Sequence, residues 1–192
     1  MKIFDFGKGI PDCVSCEGGN LSVTDLMVKQ GTGSLRWDFS KGDKLIFSTD
    51  IGYKTLVPDG KDFRAYVFGV YIFGFGEEGS LQLDFLKKGI RCTGFNIEMD
   101  YRGWRSSTAC FDRDMDGTPC EGMDSMVITA GYSGSILISE LVTAGRVDRR
   151  HILKSYQVPF IKNNELLIKK NWQVAKKYSD VNPDLKTVEL IK

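Results

Sequence analysis

Few residues in this chain combine a reactive type with a telling spacing. Asp112-Arg113-Asp114-Met115-Asp116-Gly117 begins like a calcium loop, in which alternate carboxylates converge on the ion and Gly makes the sharp turn. The twelfth position is Met123, where such a loop needs a bidentate Glu, and the flanks read as strand instead of helix. The segment therefore reads as an acidic turn after a strand. Cys13-Val14-Ser15-Cys16 has the spacing of half a zinc site or of a redox pair. Cys92, Cys110 and Cys120 do not supply a second pair, and the sole His151 lies far away, so these are read as buried or adventitious thiols.

The same inventory disfavours a free-standing hydrolase. One His leaves little room for His-rich metal sites or a nucleophile's base, and no Gly-x-Ser-x-Gly elbow or phosphate-cradling Gly loop occurs. His151, within Arg149-Arg150-His151, reads as a surface residue of a linker. Among the aromatics, Trp37 shares an apolar face with Leu35 and Phe39 and reads as core. Trp104 and Arg105, side by side after Gly103, are the candidate sugar contacts, with packing and a carboxylate or carbonyl partner as the competing roles.

The elements that must carry these residues are strands. Gly is 21 of 192 residues, and 12 Phe with 7 Tyr suit pleated sheets. Leu35–Phe39, Leu81–Phe85 and Phe95–Tyr101 alternate apolar and polar residues, so each has one wet face. Tyr66–Phe73 is apolar on both faces and is expected inside a sheet. Further strands are expected at Ile3–Phe6, Asn20–Val23, Leu45–Phe47, Met126–Ala130 and Ser135–Val142. Such short strands between Gly, Asp and Pro turns predict an all-β, jelly-roll β-sandwich. The one helix expected is Glu165–Lys177, capped by Asn164.

Charge divides the chain. Residues 143–192 hold 11 Lys and Arg against 5 Asp and Glu, so the body carries the remaining 15 basic and 20 acidic residues. This predicts a sandwich over residues 1–143, then a basic linker and the start of a helical domain over 144–192. The overall +1 charge gives no field to hold nucleic acid, and the longest apolar stretch is about half the ~20 residues of a membrane span. The first residues read as a strand instead of a signal peptide.

Several segments, in order and spacing, resemble the N-terminal domain of chondroitin sulfate ABC lyases, bacterial polysaccharide lyases. The strongest are Tyr101–Arg105 and Phe111–Ser125, with Gly33–Trp37, Ile136–Leu141 and Ser155–Phe160 in support. The resemblance implies a jelly roll similar to carbohydrate-binding modules and a periplasmic or secreted parent. It also implies one structural cation, calcium or sodium, between the first strand, a Gly-Ser loop and the last strand. Asp5, Gly33 and Ser139 occupy those positions, Ser139 standing where the family commonly has Asp.

In that family the groups that abstract the C5 proton of a uronic acid and expel the 4-linked sugar lie in the helical domain that follows. No catalytic residue is therefore expected here, and the fragment alone should be inactive. The implied partners are that helical domain and chondroitin or dermatan sulfate. The competing reading is a docking domain without sugar affinity.

Overall fold

The computed structural model describes Phe4, residues 6–55 and residues 64–147. A 3-10 turn over Phe6–Lys8 comes first, so Phe6 opens a turn instead of closing the expected strand Ile3–Phe6. Eleven strands follow: β1 (Val14–Glu17), β2 (Asn20–Thr24), β3 (Ser34–Phe39), β4 (Lys44–Ser48), β5 (Arg64–Phe75), β6 (Ser80–Lys87), β7 (Ile90–Glu98), β8 (Arg102–Cys110), β9 (Asp116–Gly117), β10 (Ser125–Ala130) and β11 (Gly134–Val147).

The strands form two antiparallel sheets. One has the order β1-β4-β10-β6-β7-β9, the other β2-β3-β11-β5-β8. The expected all-β sandwich is thus the architecture of the described residues, and its last strand continues past residue 143 to Val147. Expected helix Glu165–Lys177, Asp5 and His151 lie outside the described residues.

Alternation decides which residues face inward. Leu35, Trp37 and Phe39 of β3 are buried, as are Leu81, Leu83 and Phe85 of β6 in the other sheet. Phe68 meets Phe85 edge-to-face at 5.1 Å, and Phe85 meets Phe111 at 4.9 Å, so aromatic edges tie the two layers. Trp37 is fully buried, as its shared face with Leu35 and Phe39 predicts. β5 lies between β11 and β8, which fits a strand apolar on both faces.

β11 changes phase once. Its register against β5 shifts between Ile138 and Glu140, which makes Ser139 the extra residue of a β-bulge. Before the bulge Ile136 and Ile138 face the core; after it Leu141 and Thr143 do, and Glu140 turns to the outer face beside Tyr71. Without the bulge, strict alternation would drive the Glu140 carboxylate into the core.

Candidate functional site

The outer face of the five-stranded sheet gathers side chains from three of its strands. From β5 come Tyr71, Phe73 and Phe75, and from β8 Trp104, Ser106 and Thr108, with Phe73 opposite Trp104 and Tyr71 opposite Ser106. Phe73 meets Trp104 edge-on at 5.5 Å and Phe75 at 5.0 Å. Leu137 of β11, opposite Phe73, is buried on this outer face, so these rings form a small apolar cluster of their own.

Charged groups border the cluster. Arg36 pairs with Asp38 at 2.8 Å, and its guanidinium lies 6.0 Å from the centre of the Phe75 ring. The Arg36 hydrogen bond holds the Asp38 carboxyl below the usual carboxylate range, and the Ser135 hydroxyl, which also donates to Asp38, adds to this. Lys29 places its ammonium 5.9 Å from the centre of the Tyr71 ring.

Next to Tyr71 the face sinks into a hollow of about 230 Å³, lined by Gln30, Gly69, Tyr71, Ser106, Thr108 and Glu140 among others. The hollow exists because Gly69 has no side chain. A Cβ there would stand 3.3 Å from Val142 Cγ1 and 3.7 Å from Thr108 Oγ1. Its walls therefore offer one aromatic ring, one carboxylate, one amide and two hydroxyls, the last two 3.4 Å apart. That combination suits a ligand with hydroxyls on its rim and C–H groups on its face.

Trp104 and Arg105 are not brought together. They are consecutive in β8 and point to opposite sides: Trp104 to the outer cluster, Arg105 inward at the edge of the sandwich. Arg105 lies over the Tyr101 ring at 4.2 Å and 3.9 Å from Asp100, with its side chain 59% exposed. It lines a wider groove of about 680 Å³ between β7 and β8, whose walls include Glu98, Asp114 and Asp116.

The acidic turn is internally paired. Asp112 accepts a 2.6 Å hydrogen bond from the Tyr53 hydroxyl, Asp114 accepts the Cys110 backbone N–H and binds Arg113, and Asp116 pairs with Arg91 at 2.6 Å. The three carboxylates thus point at separate partners and do not converge. Among the described residues no cluster of three or more His, Cys, Asp or Glu is arranged to hold a metal.

Of the implied cation residues, Asp5 lies outside the described residues. Gly33 packs on the 3-10 turn so closely that a Cβ would sit 2.8 Å from Gly7 Cα. The Ser139 hydroxyl accepts the backbone N–H groups of Lys29 at 3.1 Å and Gln30 at 2.9 Å and donates to the Gln30 carbonyl at 3.0 Å. A hydroxyl has one proton and two lone pairs, so all its capacity is engaged. Ser139 does not fit a cation in this arrangement, because no lone pair is left for one.

The hollow was not legible as a site from the sequence, since Gln30, Tyr71, Ser106 and Glu140 come from four separated segments. One signal was available. Ile138-Ser139-Glu140-Leu141 breaks the apolar alternation with two consecutive polar residues, the mark of a bulge that re-aims a side chain.

Comparison with known proteins agrees with the layout. Residues 1–160 match the family described as "Lyase, N terminal". The chain is 32% identical over 187 residues to a chondroitin sulfate ABC exolyase of Bacteroides thetaiotaomicron, and 26% identical over 183 residues to one of Proteus vulgaris. The aligned parts cover 96% and 93% of this chain but only 18% of each relative. In fold it is similar to a family 11 carbohydrate-binding module of Clostridium thermocellum solved with a mixed-linked tetrasaccharide, at TM-score 0.53 and 16% identity, covering 77% of this chain and 96% of that one. A xylan-binding domain of Paenibacillus barcinonensis aligns at TM-score 0.52 and 13% identity, covering 77% and 94%. This chain, a β-sandwich with the fold of carbohydrate-binding modules, belongs to the family of lyase N-terminal domains.

Proposed function

We propose that this chain is the noncatalytic N-terminal part of a lyase acting on chondroitin or dermatan sulfate, and that it holds the polysaccharide on the outer face of its five-stranded sheet. The observation that carries the reading is the hollow over Gly69, with the Tyr71 ring and the polar groups of Gln30, Glu140, Ser106 and Thr108 around it. A sugar ring presents C–H groups to an aromatic face and hydroxyls at its rim, so these walls match both. Lys29 beside Tyr71 supplies a cation for a uronate or sulfate group.

The parent's elimination chemistry belongs, on the family resemblance, to a following helical domain. This chain contributes binding and orientation, and the parent works outside the cytoplasm, in the periplasm or secreted. No helix among the described residues is long and apolar enough to cross a membrane.

Calorimetric titration with chondroitin sulfate oligosaccharides at low and physiological salt, with unsulfated hyaluronan oligosaccharides beside them, tests this reading. Saturable heat surviving physiological salt, and weakened by Tyr71→Ala, supports it. Absence of binding at both salt concentrations would overturn it, leaving the outer cluster of Phe73, Phe75 and Trp104 as a surface for docking the rest of the parent.

A further inference from the structure

All five cysteines are free thiols, yet two of them meet. Cys92 Sγ and Cys120 Sγ are 3.3 Å apart, although 28 positions separate them in sequence. Cys92 is the extra residue of a second β-bulge, where the β6–β7 register shifts: Phe85 pairs Thr93 while Leu86 pairs Arg91. Cys120 lies in the segment that leaves β9. That segment is fixed against β7, because Thr118 N–H donates to the Cys92 carbonyl at 2.9 Å. It is fixed again further on, where Asp124 N–H donates to Leu86 O at 2.9 Å and Lys87 Nζ donates to Glu121 O at 2.8 Å. The backbone on both sides of each thiol is therefore held, and the pairing is not a chance approach of two mobile loops.

The other cysteines have different surroundings. Cys110 is buried at the end of β8, and Cys16 Sγ lies 4.0 Å from the Gly19 carbonyl. Among the described residues no third soft ligand joins these two thiols to make a metal site, and a disulfide requires only that the sulfurs close by about 1.3 Å, within the reach of small side-chain rotations.

We propose that Cys92 and Cys120 form the disulfide of this domain under oxidising conditions, stapling the segment that carries Met123 to β7. Two S–H bonds break and one S–S bond forms. A small-molecule or protein disulfide is the oxidant: one cysteine thiolate attacks it and expels a thiolate, and the second cysteine thiolate then attacks the mixed disulfide and expels the other. The two electrons end on the oxidant, now two thiols, and the two cysteine protons are released to solvent or taken up by the expelled thiolates. Burial pushes the Cys92 thiol up from its ordinary value, and the hydrogen bond with Cys120 adds to this, so exchange should quicken as pH rises. The staple closes a loop containing β8 and β9, each the edge strand of its sheet.

The full folded chain is incubated with oxidised glutathione, alkylated, digested with trypsin and mapped without reduction. The sequence makes the readout unambiguous: Cys92 is the only cysteine between Arg91 and Arg102, and Cys120 the only one between Arg113 and Arg146. The expected result is one linked peptide joining these two, two thiols fewer, and a melting temperature raised by roughly 5–10 °C. Cys120→Ser should lose both the link and the rise. Five titratable thiols after oxidation, separate glutathione adducts on Cys92 and Cys120, or a link through Cys13, Cys16 or Cys110 would each overturn the proposal.

Discussion

Ser139 and Gln30 exchange hydrogen bonds in both directions: Gln30 N–H donates to Ser139 Oγ at 2.9 Å, and Ser139 Oγ–H returns to the Gln30 carbonyl at 3.0 Å. The bulge in β11 aims this hydroxyl at the loop before β3, and the same bulge turns Glu140 to the outer face. Gln30 and Glu140 both line the hollow. One local irregularity thus positions two of its walls.

Ser139→Ala should destabilise the domain by about 2 kcal/mol, since it strands two backbone N–H groups and a carbonyl that are partly buried. Thermal unfolding of the variant beside wild type measures this.

Gly69→Ala separates folding from binding. Its Cβ needs only a small displacement of the Val142 side chain, and Ala is better than Gly in a strand interior by roughly 0.5–1 kcal/mol, so stability should change little. The methyl group occupies the hollow floor, and oligosaccharide affinity should fall by about tenfold, equivalent to roughly 1.4 kcal/mol. Melting curves and calorimetry on the same sample check both halves.

Gly33→Ala should be the opposite case. Its Cβ would meet backbone atoms of Phe6 and Gly7 at 2.8–2.9 Å, and backbone cannot step aside as a flexible side chain does. A loss of about 1–3 kcal/mol in urea unfolding is expected.

Stability should fall on the alkaline side. Burial pushes the Tyr53 and Tyr101 hydroxyls up to about 12, and raises Tyr132 further. The folded state then holds protons that the unfolded chain releases near pH 10, so this stabilisation is intact below about pH 10 and is lost as pH rises through about 12. Tyrosinate absorbance should appear together with loss of near-UV circular dichroism for these residues, not before it.

The core was legible because Leu35, Trp37 and Phe39, and likewise Leu81, Leu83 and Phe85, keep strict alternation, and burying one face leaves one register. β8 was not, because Arg102–Thr108 sits at a sheet edge where water reaches both sides and selects no alternation. β1 was missed for a similar reason: only Val14 of its four residues is buried. For the site, Trp104 and Arg105 stood adjacent in sequence and were separated by the pleat, which sends consecutive strand residues to opposite faces. The hollow escaped because it is an absence, the missing side chain of Gly69, framed by residues that only strand order brings together.

The most direct test of the outer-face site is backbone amide chemical-shift mapping of the labelled chain during titration with a chondroitin sulfate hexasaccharide. Shifts concentrated at Gln30, Gly69, Tyr71, Ser106, Thr108 and Glu140, with Asn96 and Glu98 quiet, are the predicted result. Shifts confined to the groove around Asn96, Glu98 and Arg105, or no saturable shifts, would contradict it.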